Sequence, residues 1–193
     1  MGSESLEIID RMDPARAAAL HAALGREGAP PASGEPLPAF WHQIYFWEPR
    51  PPSALGRDGH PATGGLIPDL GLPRRMWAGG RLVWHAPILA GVRAVRMTRV
   101  AGITRKEGRT GSLGFVTLRH EIRQRGVLAL SEDQQLVYRP DDAPSSAPPE
   151  PPEDAEIRAP AHFDPTLLFR YSALTMNGHR IHYDDPYARE VEG

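Results

Sequence analysis

The run Arg170-Tyr171-Ser172-Ala173-Leu174-Thr175-Met176-Asn177-Gly178-His179-Arg180-Ile181-His182-Tyr183-Asp184 ends with an amide, two imidazoles, a guanidinium and a carboxylate within eight residues. A neutral imidazole titrating near pH 7 is well placed to take a proton from water. Histidines three apart lie on one side of a helical turn, so His179 and His182 can point into one cleft. Asn177 can orient a water by donating and accepting hydrogen bonds, but it cannot act as a base. Arg170 and Arg180, with Tyr171 beside them, suit a substrate carboxylate or a phosphate, and suit a structural role equally well. A hydrogen-bonded core position is the competing reading of His182. A metal on His179 and His182 needs a third ligand that the spacing does not supply, so none is expected.

Composition narrows the chemistry. With 193 residues, 40% hydrophobic, 24% charged and a net charge of −2, the chain suits one globular domain or two small ones. The absence of cysteine removes disulfides, thiolate nucleophiles and sulfur-ligated metals, leaving His, carboxylates, Ser/Thr or Tyr for any catalysis. Neither a membrane-spanning window nor a secretory signal is visible, so a cytoplasmic location and no membrane partner are expected. Lys106 is the one lysine among 22 bases, and near-zero net charge reads that arginine excess as coding bias, not a nucleic-acid surface. Nine bases against two acids in residues 91–125 are the sole pointer to nucleic acid, and none is expected as a partner. Gly64-Gly65 with His60 lacks the ending of a phosphate loop, which argues against a nucleotide site.

Several elements must hold the polar run. From Asp13 to Gly25, an acidic cap, Pro14 in the first turn, apolar residues at helical spacing and a terminal glycine predict a short helix. Ala39 to Trp47 fits helix or strand on periodicity alone, and its aromatics Trp41, Tyr45, Phe46 and Trp47 read as core. Residues 56–80 read as loop, with a clearer strand signal from Arg81. Segments 89–104, 111–124 and 126–139, separated by glycine turns, have the alternation of an antiparallel meander, with Arg105 to Arg109 at a hairpin tip. Residues 141–156 carry six acids, no base and no large apolar side chain, a linker composition. Past it, Asp164-Pro165-Thr166 starts a helix or turn, and Leu167 to Thr175 reads as a short apolar strand. The expected organisation is a domain over 1–139, an acidic Pro-rich linker over 140–160, and over 161–193 the start of a unit too short for its own core.

The segment RYSALTMNGHRIHYDDPYA resembles the active-site segment of the MaoC-like, hotdog-fold dehydratases, in the branch of mesaconyl-C4-CoA hydratase and the mitochondrial 3-hydroxyacyl-thioester dehydratases. The stretches FWHQIYFWEP, HPATGGLIPDLGLPRRMWAGG and RLVWHAPI are similar to that branch's N-terminal domain. The resemblance implies an α+β double hotdog, each half wrapping a curved antiparallel sheet around a long helix. Residues 1–139 would be the N-terminal hotdog and 161–193 the opening of the catalytic one. A long helix, further sheet and a glycine-bearing oxyanion segment would follow His182, so the chain would be a fragment or half of a two-chain enzyme. The implied reaction is hydration or dehydration of α,β-unsaturated or 3-hydroxyacyl-CoA thioesters, such as mesaconyl-C4-CoA or a similar short dicarboxylic acyl-CoA. No cofactor is implied, CoA being part of the substrate. His182 matches the family's histidine, Asn177 stands where the family has aspartate, and His179 where it has asparagine. On that pattern His182 carries most of the proton transfer and Asn177 positions the water. His179 or Asp184 assists, and Arg180, Arg170 and Tyr171 bind substrate. A homodimer or a complementing hotdog subunit would complete the assembly, and a non-catalytic subunit that binds acyl-CoA is the alternative function.

Overall fold

Alternating burial along residues 111–139 builds the centre of one antiparallel sheet, in which five strands run in the order β1-β3-β4-β5-β2. The computed structural model describes residues 5–108, 111–141, 150, 153–158 and 160–192. The strands are β1 (Ser5–Asp10), β2 (Arg74–Trp84), β3 (Ala94–Gly108), β4 (Gly111–Gln124) and β5 (Val127–Arg139). The expected meander is β3-β4-β5, with Arg125 and Gly126 at φ 51° and 81° making the tight turn between the last two. The β3-β4 tip and most of the acidic linker, including Arg109, residues 142–149 and residues 151–152, fall outside the described residues.

Two strands exceed the sequence expectation. β2 starts at Arg74 and not at Arg81, because Arg74 to Trp77 pair with Leu136 to Arg139 and a bulge at Ala78 lets Gly79 and Gly80 continue the pairing with Gln135 and Gln134. β1, assigned no element from sequence, adds an edge strand along β3 from Ser5↔Arg99 to Asp10↔Ala94. Its short run alternates in burial, too brief a period to register against acidic neighbours.

Helix α1 (Pro14–Ala23) forms as its cap predicts, with the Asp13 carboxylate accepting the Ala15 N–H at 2.9 Å and Pro14 in the first turn. It buries Ala17 and Leu20 against Ala94, Ile122, Ala129 and Leu130 of the sheet. The long helix implied by the family resemblance is here ten residues, and a 3-10 turn at Trp41–Ile44 fills the rest of the core with Trp41, Ile44, Tyr45 and Phe46. Leu167 to Thr175 is a second correction: it is not a strand but helix α2 (Pro165–Leu174). The Asp164 carboxylate accepts the Leu167 N–H at 2.7 Å and Pro165 occupies the first turn, so the cap decides a run whose apolar pattern alone is ambiguous. α2 packs beside α1, and the Trp47 indole donates to the Leu174 carbonyl at 2.9 Å. Among the described residues no helix is long and apolar enough to cross a membrane.

A polar belt crosses the inner face of the sheet between two apolar clusters, one around Ile122 and Leu130, the other around Val116, Leu136 and Tyr138. In this belt Thr98 Oγ1 and His120 Nδ1 are 2.8 Å apart, and His120 Nε2 lies 3.2 Å from Gln134 Oε1. Burial, followed by the charge of Arg96, pushes both His42 and His120 down to about 4 from 6.5. The unfolded chain therefore binds protons between pH 6.5 and about 4 that the folded chain refuses, so stability falls as pH drops through that window. Melting temperature followed by circular dichroism is expected to decline steadily across this range, and His120→Gln to flatten the decline. A melting temperature independent of pH there would contradict this account of the belt.

Candidate active site

Two loops meet ahead of β2 and after α2, and glycine permits the meeting. Gly59, at φ +85°, sits so close to Gly178 that a Cβ built on it would overlap the Gly178 carbonyl oxygen. Beside this crossing the Arg180 N–H donates to the Asp58 carbonyl at 2.9 Å, and the Arg180 guanidinium reaches the Arg57 carbonyl at 3.3 Å. The crossing brings residues 58–60, ahead of β2, against the turn that follows α2.

The result is a histidine cluster. The rings of His60 and His179 have centroids 4.2 Å apart, and those of His179 and His182 are 5.6 Å apart and perpendicular. His179 precedes the 3-10 turn Arg180–His182, so the one-sided placement expected of His179 and His182 is the observed one. Asp58 accepts the backbone N–H of His60 at 3.0 Å and sits 3.1 Å from its Nδ1. In neutral His60 this geometry assigns the ring proton to Nδ1 and leaves Nε2 as an acceptor.

Electrostatics favour neutral imidazoles. Burial, then the charge of His60, pushes His179 down to about 4, outweighing the opposite pull of Asp58. The same two causes lower His182, which is half-buried. Burial alone would raise Asp58, but the hydrogen bonds from the side chain and backbone of His60 outweigh it and hold the carboxyl below its usual range. At neutral pH the cluster thus offers a carboxylate and uncharged imidazoles at His179 and His182, a composition for moving protons.

The other predicted residues divide. Asn177 accepts the His179 N–H on its Oδ1 at 3.1 Å, which fixes the turn and leaves its amide N–H groups to donate. Asp184 takes the Arg180 guanidinium at 2.7 and 2.9 Å and caps the next turn by accepting the Tyr187 N–H at 3.1 Å. The hydrogen bond from Arg180 holds the Asp184 carboxyl below its usual range. Arg180 is thereby committed to Asp184, to the 57–58 backbone and to the Tyr187 ring, whose centroid is 4.1 Å away. Arg170 and Tyr171 lie exposed on α2; Arg170 lines a depression with residues 23–26 of the α1 end and is not brought to the histidines.

Asp58 and His60 are the site residues that the sequence reading missed. Their signal was available in Asp58-Gly59-His60, an acid whose carboxylate can reach its own second-next amide across a glycine. Asp58, His60 and His179 also place ligand atoms within 4.8 Å of one another, a set able to hold a divalent cation of the kind bound by imidazole and carboxylate.

The five-stranded antiparallel sheet with its packed helices is an α+β hotdog, and solved structures of MaoC-like dehydratases share this fold. A MaoC-like dehydratase matches with TM-score 0.66 at 12% identity, over 98% of this chain and 70% of that chain. HtdX of Mycobacterium tuberculosis matches with TM-score 0.59 at 20% identity, over 98% of this chain and 68% of that one. The chain belongs to the hydroxyacyl-thioester dehydratase type 2 family, whose profile matches residues 40–193. It is 44% identical over 190 residues to mesaconyl-C(4)-CoA hydratase of Chloroflexus aurantiacus, covering 97% of this chain and 68% of that protein. It is 29% identical over 177 residues to the mitochondrial hydroxyacyl-thioester dehydratase type 2 of Saccharomyces cerevisiae, covering 79% of this chain and 58% of that protein.

Proposed function

We propose that the protein adds water to α,β-unsaturated acyl-CoA thioesters and removes it from the 3-hydroxy products, with mesaconyl-C4-CoA or a similar short dicarboxylic acyl-CoA as substrate. The observation that carries this reading is the histidine cluster on a chain 44% identical to a mesaconyl-C(4)-CoA hydratase. In hydration, His182 Nε2 or Nδ1 takes a proton from water while the oxygen bonds to the β-carbon of the thioester. The π electrons move to the α-carbon and the carbonyl oxygen, giving an enolate, and the proton returns to the α-carbon. Asn177 orients the water with its free amide N–H groups, and His179 keeps the surroundings of His182 uncharged until the proton moves. Asp184 acts through Arg180 as a positioning residue, holding the loop crossing together. Arg170 and Tyr171 remain candidates for contact with the CoA moiety from their exposed position on α2.

A homodimer or a complementing hotdog subunit is the assembly proposed with this activity. Trp77 at 65% exposure, with Met76 and Trp84 on the same edge strand β2, supports a paired edge. Incubation of the purified chain with crotonyl-CoA and mesaconyl-C4-CoA is expected to bleach the absorbance of the conjugated thioester. Binding of both thioesters without bleaching would replace this reading with a non-catalytic acyl-CoA-binding subunit.

A further inference from the structure

Tyr138, at 2% exposure, is among the best-buried side chains in the protein, yet among the described residues no acceptor takes its hydroxyl proton, and Arg75, which can only donate, is close enough to hydrogen-bond the phenol oxygen. A buried hydroxyl proton without an acceptor is rare and calls for an explanation, such as a ligand group. Directly across the β2-β5 pair stands Arg75, whose charge bears on that phenol and opposes the dominant upward effect of burial on it. Arg75 makes no ion pair among the described residues. Its arginine neighbours differ: Arg57 is paired with Asp141, and Arg180 with Asp184.

Arg75 and Tyr138 line the same cavity, of about 360 Å³, whose wall also includes Asp58. Asp58 is already committed to His60, so it does not neutralise Arg75 by an ion pair. The charge of Arg75 is nonetheless felt at both Asp58 and His179, which places it beside the reacting cluster. It also lines a larger adjoining cavity of about 640 Å³ together with Arg96 and Pro61. A cation at the junction of two cavities and, beside it in the smaller one, an O–H with no acceptor form a receptor for two acceptor oxygens on one planar group.

We propose that Arg75 and Tyr138 bind the free carboxylate of a dicarboxylyl thioester, and so select short dicarboxylic acyl-CoA substrates over their uncharged counterparts. This assignment rests on the thioester reading above and names the group that determines specificity within it. The carboxylate accepts from the Arg75 guanidinium and from the Tyr138 hydroxyl, satisfying both donors at once. Arg180 cannot serve in this way without giving up Asp184 and the loop crossing.

The test needs no turnover. Binding of succinyl-CoA and of butyryl-CoA to the full chain is measured by calorimetry, the two ligands sharing the same CoA and differing in the terminal carboxylate. Wild type is expected to prefer succinyl-CoA at least tenfold. Arg75→Gln is expected to erase that preference, and Tyr138→Phe to reduce it about fivefold with the melting temperature little changed, since the hydroxyl proton it deletes has no acceptor among the described residues. An unchanged preference in both variants overturns the proposal, even if Arg96→Gln were to abolish it. Equal losses for both ligands overturn it as well, because they place the arginine on the CoA phosphates. If the preference behaves as expected while wild type fails to hydrate crotonyl-CoA or mesaconyl-C4-CoA, the carboxylate receptor stands and the hydratase reading falls.

Discussion

His182→Ala is expected to lower the hydration rate by about 10²–10⁴-fold, the usual contribution of a positioned proton-transfer group. The loss should appear in kcat, with thioester binding little changed, because His182 is assigned to the reacting water and not to the acyl or CoA groups. Folding should survive. His182 is only half-buried, and its backbone N–H keeps its bond to the His179 carbonyl at 3.1 Å whatever the side chain. A substitution there is expected to cost about 1 kcal/mol of stability. The pH profile adds an independent check. With its pKa lowered by burial and by His60, His182 is neutral below the ordinary imidazole range, so the acidic limb of kcat/KM in wild type should lie below pH 6.5. Wild-type turnover in the alanine variant, with the same acidic limb, would move the base elsewhere in the cluster, with Asp58-supported His60 the first alternative.

Gly59→Ala is expected to disconnect the cluster without touching any of its side chains. A Cβ at this position would overlap the Gly178 carbonyl oxygen, which is backbone and has no rotamer to escape into. The left-handed φ of +85° adds roughly 1–2 kcal/mol of strain for any L side chain. Together with the cost of overpacking, roughly 1–3 kcal/mol, the loops should part and activity should fall at least tenfold. Gly64→Ala is the matched control: its φ is +101°, but a Cβ there meets nothing within 4 Å. It shares the conformational strain and lacks the collision. Equal activity losses in the two variants would show that backbone strain, and not the crossing with Gly178, governs the site.

How much of this was legible beforehand depended on whether the signal was local. The meander β3-β4-β5 was readable because alternation and the Arg125-Gly126 turn lie within one stretch of chain. α1 was readable from Asp13, Pro14 and Gly25. α2 was misread as a strand because nine apolar-rich residues fit either period, and the capping bond from Leu167 N–H to Asp164 decided the matter. The early start of β2 was hidden because its pairing with Leu136 to Arg139 is distant in sequence, and Gly79-Gly80 reads locally as a break. The same distinction divides the site. His179 and His182 could be placed together from their spacing alone, whereas nothing near them in sequence points to Asp58 and His60. Their partnership exists only through the Gly59–Gly178 approach, a contact that sequence periodicity cannot encode.

That approach also orders the assembly of the protein in time. The β4-β5 hairpin closes over two residues, while joining His60 to His179 closes a loop of about 120. Loop-closure entropy grows as the logarithm of length, so the second closure costs roughly 3.5 kcal/mol more than the first and is repaid by the packing of α2 on α1, a few hydrogen bonds and the imidazole contacts. The sheet can therefore stand before its chemistry exists. The histidine cluster is thus expected to open at a lower free energy than the sheet, so that a protein that still melts as a cooperative sheet can already have lost its candidate site.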